Sequence, residues 1–455
     1  MMDAAAAARV LDGRLLGRNV AFTRVTSDTR ALQDGDLFVA LRGERFDGHD
    51  FVEAAFERGA RAALVARDRV RADRGSLIEV DDPLAALGRL AAHWRARFDV
   101  PVIVVVGSNG KTTVKEMTAA ILRAHHGDHV LATRGNLNNA IGLPLTLLGL
   151  REHHRAAVIE LGMNHRGETA ELAPIAQPTI ALINNAQREH QEFMQGVTEV
   201  AHEHADLIRF VRAGGSAVLN ADDPHLPLWR EATPAGVRIV AFGLARTAQV
   251  RGEVHAAAGA TQLRIFTPAG TADTTLSVAG AHNVSNALAA SAAGLAAGVS
   301  LDAIREGLAA FRPVTGRLVA RRGVQGEAII DDTYNANPDS VRAAIAVLAQ
   351  APAPRWLVLG DMGEVGAQGP AFHREAGEGA RTAGIEQLFT AGTLAANSAA
   401  AFGESARHFE SVDALTDHLE SIDRGGATIL VKGSRFMRME RVVARLCGES
   451  IGDAH

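Results

Sequence analysis

Val102-Ile103-Val104-Val105-Val106-Gly107-Ser108-Asn109-Gly110-Lys111-Thr112-Thr113 joins an unbroken β-branched run to a glycine-rich turn. Such a run suits a strand buried on both faces of a parallel sheet. Val114, Met117 and Ile121 then recur at helical spacing, so the turn opens a helix. A strand, a glycine turn and a helix N-terminus place backbone N–H groups and the positive end of a helix dipole where phosphate oxygens can sit. Lys111 is positioned for the β and γ phosphates of ATP, and the Thr112 hydroxyl for a Mg²⁺ ion. Gly107, Ser108, Asn109, Gly110, Lys111, Thr112 and Thr113 are therefore candidate nucleotide-binding residues. Val105 stands where the pattern G-x-x-x-x-G-K-[ST] has its first glycine, and a glycine turn with an idle lysine is the competing reading.

Outward from this stretch, Ala157–161, Thr179–184, Ala217–220 and Val237–242 read as further buried strands separated by helical segments. Upstream, strand-like runs at 37–41, 62–65 and 77–80 and a helix at 51–58 precede a connecting helix at 83–97. Downstream, strands at 327–330, 356–359, 387–390 and 428–431 alternate with helices. The chain thus predicts an α/β protein of three domains: residues 1–98, a small mixed α/β domain with a linker helix; 99–312, a central α/β domain with the phosphate loop; and 313–455, a Rossmann-like α/β domain. A length of 455 residues agrees with about three domains.

Composition narrows the class. A net charge of −5 offers no basic excess for nucleic acid. The single cysteine, Cys447, rules out an internal disulfide framework. The start has an acid at Asp3 and no basic segment, so it does not read as a signal peptide. The uncharged stretch 283–301 is mostly Ala, Ser and Gly, which suits a packed helix better than a bilayer. A cytoplasmic protein without integral membrane association is expected, and nothing in the sequence requires more than a monomer. Only three of the 47 lysines and arginines are lysine, at 111, 115 and 432. A compact ammonium does what a planar guanidinium cannot, so each is a candidate for function. Lys432 follows a buried strand in Val431-Lys432-Gly433-Ser434-Arg435 and would suit an anion in a cleft, a solvated surface lysine being the alternative.

Glu160 and His190 follow strands, where open α/β sheets bind ligands. Together with Thr112 they could surround Mg²⁺, although that ion prefers oxygen and a solvated histidine is the commoner case.

These motifs together resemble the Mur ligase family, ATP-dependent amide-forming enzymes of peptidoglycan precursor synthesis. The resemblance runs from Ser27-Asp28-Thr29-Arg30 through the phosphate loop, Gly135-Asn136-Leu137-Asn138-Asn139, Glu160-Leu161-Gly162 and His282-Asn283-Val284-Ser285-Asn286. It continues through Gly316-Arg317, Asp331-Asp332-Thr333-Tyr334-Asn335-Ala336-Asn337-Pro338, Leu359-Gly360-Asp361-Met362-Gly363-Glu364 and the Lys432 segment. Several of these are closest to the branch that adds D-alanyl-D-alanine to UDP-N-acetylmuramoyl-tripeptide. The resemblance implies a first domain that holds UDP near Ser27, Asp28, Thr29 and Arg30, and a middle domain for ATP and Mg²⁺. It implies a third domain that closes over them. It assigns Thr112, Glu160 and His190 to the metal, Asn283 and Asn286 to the adenine end, and Arg317 and Asp332 to ribose and phosphates. Asn138, Asn139, Tyr334 and Asn337 would meet the substrates, and Lys111, His190 and Lys432 would serve catalysis. Asn283 and Asn286 read equally as helix caps, Asp332 as a turn acid and Tyr334 as a packing residue.

Many family members carry a carbamylated lysine after the His190 position. Fourteen residues on, this sequence has His204, flanked by Glu203 and Asp206, which become candidates to compensate. A folylpolyglutamate synthase-like ligase and an ATP-driven switch are the competing functions.

Overall fold

Three parallel-rich sheets follow one another along the chain, as the α/β reading expects. The computed structural model describes residues 1–70, 75–257 and 260–449. The first sheet has the order Arg14–Leu16, Ser76–Val80, Ala62–Ala66, Asp36–Val39, Arg24–Thr26, parallel except for its first pair. The helix expected at 51–58 is Val52–Glu57, entered through a 3₁₀ turn at Gly48–Phe51.

Helix α1 (Pro83–Arg95) leads out of this sheet; Asp82 caps it by accepting from the Leu84 and Ala85 amides. Its last turn is bolted to the middle of the chain. Trp94 Nε1 donates to the Leu150 carbonyl at 3.0 Å, and the fully buried Arg95 donates to the carbonyls of Ala176, Gln177 and Phe98 at 3.2, 3.1 and 2.6 Å. Burial pushes the Arg95 guanidinium down to about 10, so it remains charged at neutral pH.

Strand β1 (Val102–Val106) runs through a nine-stranded sheet into helix α2 (Lys111–His126). Its neighbours are β2 (Ala156–Glu160) and β3 (Ile180–Ile183), both parallel. The two-residue period divides β1 between two cores. Val102, Val104 and Val106 pack in the core shared with Leu87 and Leu90 of α1, and Ile103 and Val105 in the one shared with Val114, Met117 and Ile121 of α2. Helices α3 (Glu168–Ala176) and α4 (Val197–Arg209) follow β2 and β3, and the Ala-rich α5 (Ala281–Ala296) is buried along most of its length. Three antiparallel strands, Val250–Ala257, Ala260–Thr267 and Gly270–Leu276, extend this sheet beyond the expected strands. In Gly270–Leu276 only alternate side chains are buried, so the segment lacks the apolar content that marks a two-sided strand.

The third sheet has the order Val319–Arg322, β4 (Ala328–Asp332), β5 (Thr428–Lys432), Arg355–Gly360, Gln387–Ala391, Ala406–Phe409. Helix α6 (Pro338–Leu348) follows β4. Register pairs Asp332 with Lys432 and Lys432 with Leu359, so the strand ends converge. Among the described residues no helix is long and apolar enough to cross a membrane.

Arg95→Ala removes three buried hydrogen bonds and leaves three carbonyls to be satisfied. We expect it to cost about 2–4 kcal/mol of stability, read as a fall in melting temperature; Arg97→Ala, at an exposed position, serves as the control.

Candidate active site

The turn after β1 is shaped by glycine. At Gly110 φ is +81°, and a Cβ there would lie 2.4 Å from Asn286 Oδ1 and 2.8 Å from Asn184 Nδ2. The loop is wired to the segment after β3. Ser108 Oγ accepts from the Gln187 amide at 2.8 Å, the Ser108 amide donates to the Asn185 carbonyl at 3.1 Å, and the Asn109 amide donates to Asn185 Oδ1 at 2.9 Å. Asn184 Nδ2 reaches the Asn109 carbonyl at 2.8 Å and Asn286 Oδ1 at 2.9 Å. With the loop held from outside, the first amides of α2 are left to face a ligand.

Lys111 Nζ donates to the Gly107 carbonyl at 2.5 Å and to Glu189 Oε2 at 3.1 Å. Glu189 lies outside the residues the sequence nominated. Burial alone would raise its carboxyl; the Lys111 ammonium, the strongest of its neighbours, outweighs that and lowers it. Lys115 proves structural: fully buried, it donates to the Thr133 carbonyl at 2.8 Å and to Glu116. Thr133 in turn accepts the Glu160 amide on its Oγ1 at 2.9 Å, which fixes the end of β2. Glu160 Oε1 accepts from Asn138 Nδ2 at 2.8 Å, and its Oε2 is buried without a partner.

His190 and Glu364 meet across the cleft, Nδ1 to Oε2, at 2.6 Å, and this contact with the imidazole lowers the Glu364 carboxyl. Both have left-handed backbones, with φ of 49° and 56°. Such strain in residues other than glycine costs roughly 1–2 kcal/mol each and concentrates at functional sites. Glu203 does not turn toward this cavity. Its carboxylate caps α3, accepting from the Gly167 and Thr169 amides at 2.9 and 2.8 Å, while Asp206 pairs with Arg209 at 2.6 Å.

From the third sheet, Arg317 Nη2 donates to Thr112 Oγ1 at 2.9 Å, its guanidinium 4.0 Å from the Tyr334 ring centroid. Lys432 Nζ pairs with Asp332 Oδ2 at 2.6 Å and donates to the Asn335 carbonyl at 2.9 Å, so two of its three N–H bonds are spent within its own domain. Asn337 caps α6 and exchanges amide hydrogen bonds with Asn109. Arg188 clasps Asp339 at 2.9 Å and Glu375 at 2.6 Å. His282, half-buried near Lys432, is held down to about 4 by desolvation and then by that ammonium.

One cavity of about 1100 Å³ gathers these groups. It is lined by every loop residue named above from Ser108 to Thr113, but not Gly107. Asn138, Asn139, Glu160, His190, Asn283, Asn286, Arg317, Asp332, Tyr334, Asn337 and Lys432 line it as well. Asn286 Nδ2 is spent on Asn283 Oδ1 at 3.1 Å, and Asn283 Nδ2 on the Ala279 carbonyl at 2.7 Å. Ser27, Asp28, Thr29 and Arg30 line a separate hollow of about 650 Å³ with Phe38, Leu41 and Phe46. There Asp28 pairs with Arg30 at 3.0 Å. Among the described residues no three His, Cys, Asp or Glu side chains are arranged to hold a metal ion by themselves. Mg²⁺ ordinarily takes one or two carboxylates and completes its shell with phosphate oxygens and water, and the unpartnered Glu160 oxygen, in the cavity that Thr112 also lines, fits that arrangement.

Three family models match: the Mur ligase family catalytic domain at residues 21–95, the Mur ligase middle domain at 105–294 and the Mur ligase glutamate ligase domain at 316–435. The UDP-N-acetylmuramoyl-tripeptide–D-alanyl-D-alanine ligase of Escherichia coli K12 is 41% identical over 444 residues, 96% of each chain. A crystal structure of MurF from Acinetobacter baumannii superposes with a TM-score of 0.90 at 33% identity, covering 98% of this chain and 99% of that one. The MurF ligase of Thermotoga maritima in complex with ADP gives 0.81 at 27% identity, over 94% and 97%.

Gly110→Ala would force a methyl group into the Asn184–Asn286 contact at a positive φ. Loss of nucleotide binding by at least tenfold is expected, with a stability cost of about 1–3 kcal/mol, measured by calorimetry with ADP and by thermal melting.

Proposed function

Because the chain belongs to the Mur ligase family over nearly its whole length, we propose that it joins D-alanyl-D-alanine to UDP-N-acetylmuramoyl-tripeptide at the expense of ATP, in peptidoglycan precursor synthesis. The observation that carries this reading is the meeting of Arg317 with Thr112 at 2.9 Å, which puts the phosphate loop and the third domain around one cavity. A carboxylate cannot form an amide at useful rates, because oxide is too poor a leaving group. The terminal carboxylate of the tripeptide therefore attacks the γ-phosphorus of ATP, giving an acyl phosphate and releasing ADP. The free amine of the dipeptide then attacks the acyl carbon, the amide forms, and inorganic phosphate leaves with the C–O bond electrons and takes up the proton that the amine nitrogen loses.

The first step brings two anions together and the second expels one, so the residues around the cavity work mainly by neutralising charge. The amides at the start of α2 and the Lys111 ammonium receive the β and γ phosphates. Arg317, stacked on Tyr334, is preorganised to reach the same oxygens from the other domain. Thr112, Glu160 and His190 would hold Mg²⁺, whose chemistry when bound is to offset phosphate charge. Asp332 and Lys432 fix the loop that carries Tyr334 and Asn335, and the remaining Lys432 N–H is directed to substrate or acyl phosphate. Asn283 and Asn286 stand at the adenine end behind Gly110, and Asn138, Asn139 and Asn337 line the peptide side. The hollow at 27–30 would seat uridine, with exposed Phe46 at its rim. Closing the third domain over the site would keep water from the acyl phosphate. We place the enzyme in the cytoplasm as a monomer.

Phosphate release should require ATP together with both the UDP-muramoyl tripeptide and the dipeptide. Release with either alone would favour another ligase, and release with neither a nucleotide-driven switch. Lys111→Ala and Lys111→Arg should both abolish ligation in a protein that still folds, since the guanidinium fork does not fit a site built for an ammonium; the alanine variant, which strands the buried Glu189 carboxylate, should also melt lower. Lys432→Ala should slow turnover by roughly tenfold or more, equivalent to about 1.4 kcal/mol.

Carbamate chemistry needs a primary amine, and the sequence has none between Lys115 and Lys432. Ligation rates should therefore be the same in bicarbonate-depleted and bicarbonate-supplemented buffer; stimulation by bicarbonate would contradict this.

A further inference from the structure

Glu160, Asp339 and Glu189 are buried carboxylates lining the main cavity; the account above uses Glu160, and Arg188 holds Asp339. The third, Glu189, is 5% exposed, and its Oε1 makes no hydrogen bond. Lys111 Nζ stands 3.1 Å from Oε2, His190 Nε2 3.7 Å from Oε2 and His204 Nε2 3.2 Å from Oε1. His204 is buried with neither ring nitrogen hydrogen-bonded, so its approach to Oε1 is a packing contact rather than an aligned bond. The one permanent cation on Glu189 among the described residues is thus Lys111.

That ammonium has a second claim on it. It is the phosphate-loop lysine, and phosphate oxygens entering the cavity compete for it. Once it turns to them, Glu189 becomes a buried anion without a fixed counter-charge, which is strongly disfavoured. A neutral imidazole cannot replace the lost charge. A hard divalent cation entering with the phosphates can, because one carboxylate oxygen plus phosphate oxygens is an ordinary Mg²⁺ environment. Glu160 Oε2, also buried and unpartnered, lines the same cavity.

The geometry points to Glu189 as a metal-holding carboxylate of this site, which releases Lys111 to the nucleotide phosphates and takes a divalent cation in exchange. His204, packed behind Oε1, is its positioning residue. The inference rests on the nucleotide reading above and adds a ligand that reading does not include.

The test measures binding of the non-hydrolysable analogue AMP-PNP to the full chain by calorimetry, in EDTA and across a Mn²⁺ series. In Glu189→Gln the Mn²⁺ concentration for half-maximal enhancement should rise at least tenfold. Binding in EDTA should be unchanged or tighter, since Lys111 is no longer held back. Glu189→Asp, which keeps the charge but withdraws it by one carbon, should fall between. A carboxylate that merely anchors Lys111 gives a different result: equal weakening in EDTA and Mn²⁺, and that outcome overturns the proposal. So does an unchanged Mn²⁺ dependence in both variants. Crystals of the unaltered protein with Mn²⁺ and AMP-PNP provide a readout independent of variant folding. An anomalous peak within coordination distance of Glu189 supports the assignment, and its absence there refutes it. If the unaltered protein bound no AMP-PNP with or without Mn²⁺, the nucleotide site itself would fall, a result distinct from metal-independent binding.

Discussion

A phosphate-binding turn must keep the amides at the start of its helix unspent, so something outside has to hold the residues before them in shape. Here the segment from Asn184 to Gln187 does so, through the carbonyl and side chain of Asn185, the amide of Asn184 and the backbone of Gln187. Gly110 permits the contact, because any side chain there would strike Asn184 and Asn286. The rest of the site follows from this clamp. It joins the ends of the paired strands β1 and β3, aims the start of α2 into the cavity, and delivers the next residues of the same segment to three different partners. Arg188 goes to the third domain, Glu189 to Lys111 and His190 to Glu364. One short peptide thus ties loop, cation site and closing domain together.

Much of this was legible in the sequence where one local signal sufficed. Val102–Val106 is apolar at every position because it is covered on both faces, and that pattern needs no partner to be read. Glu160 and Lys432 could be nominated because they end strands, and Asp332 because of its motif. The residues that escaped are defined by convergence. Glu189 gains its character from Lys111, 78 positions away, and from His204 on α4. Nothing in its neighbours along the chain announces that it is buried. Rarity drew attention to Lys115 as well, yet that ammonium fastens the Thr133 carbonyl behind Glu160 and never faces the cavity lining. Tyr334 could have packed or bound; it stacks on Arg317, so its packing serves the site. The antiparallel strands at 250–276 were missed because a strand covered on one face carries half the apolar signal.

The seat of the third domain on the middle one is polar. Its contacts include the Asn109–Asn337 amide pair, the Arg188 clasp, the His190–Glu364 pair, the Glu192 amide on the Glu364 carbonyl and the Arg317–Thr112 bond. The first domain is joined differently, through a helix whose Trp94 and Arg95 are buried against the middle sheet's helices and loops. Polar seats exchange readily with water and ligand, whereas a buried one does not. The same chain therefore carries a rigid joint on one side and a reversible one on the other. The reversible one is built from residues that a nucleotide would compete for.

The scarcity of lysine has a consequence for how the molecule meets chemical reagents. Lys115 and Lys432 are buried and the Lys111 side chain is 17% exposed, so no lysine stands free on the surface. Acylating agents and amine-directed cross-linkers would find the N-terminus and little else. The one lysine within their reach is the phosphate-loop ammonium, where modification would be blocked by any ligand that occupies the loop. An amine label at Lys111, as distinct from one on the N-terminal amine, is accordingly a footprint of site occupancy.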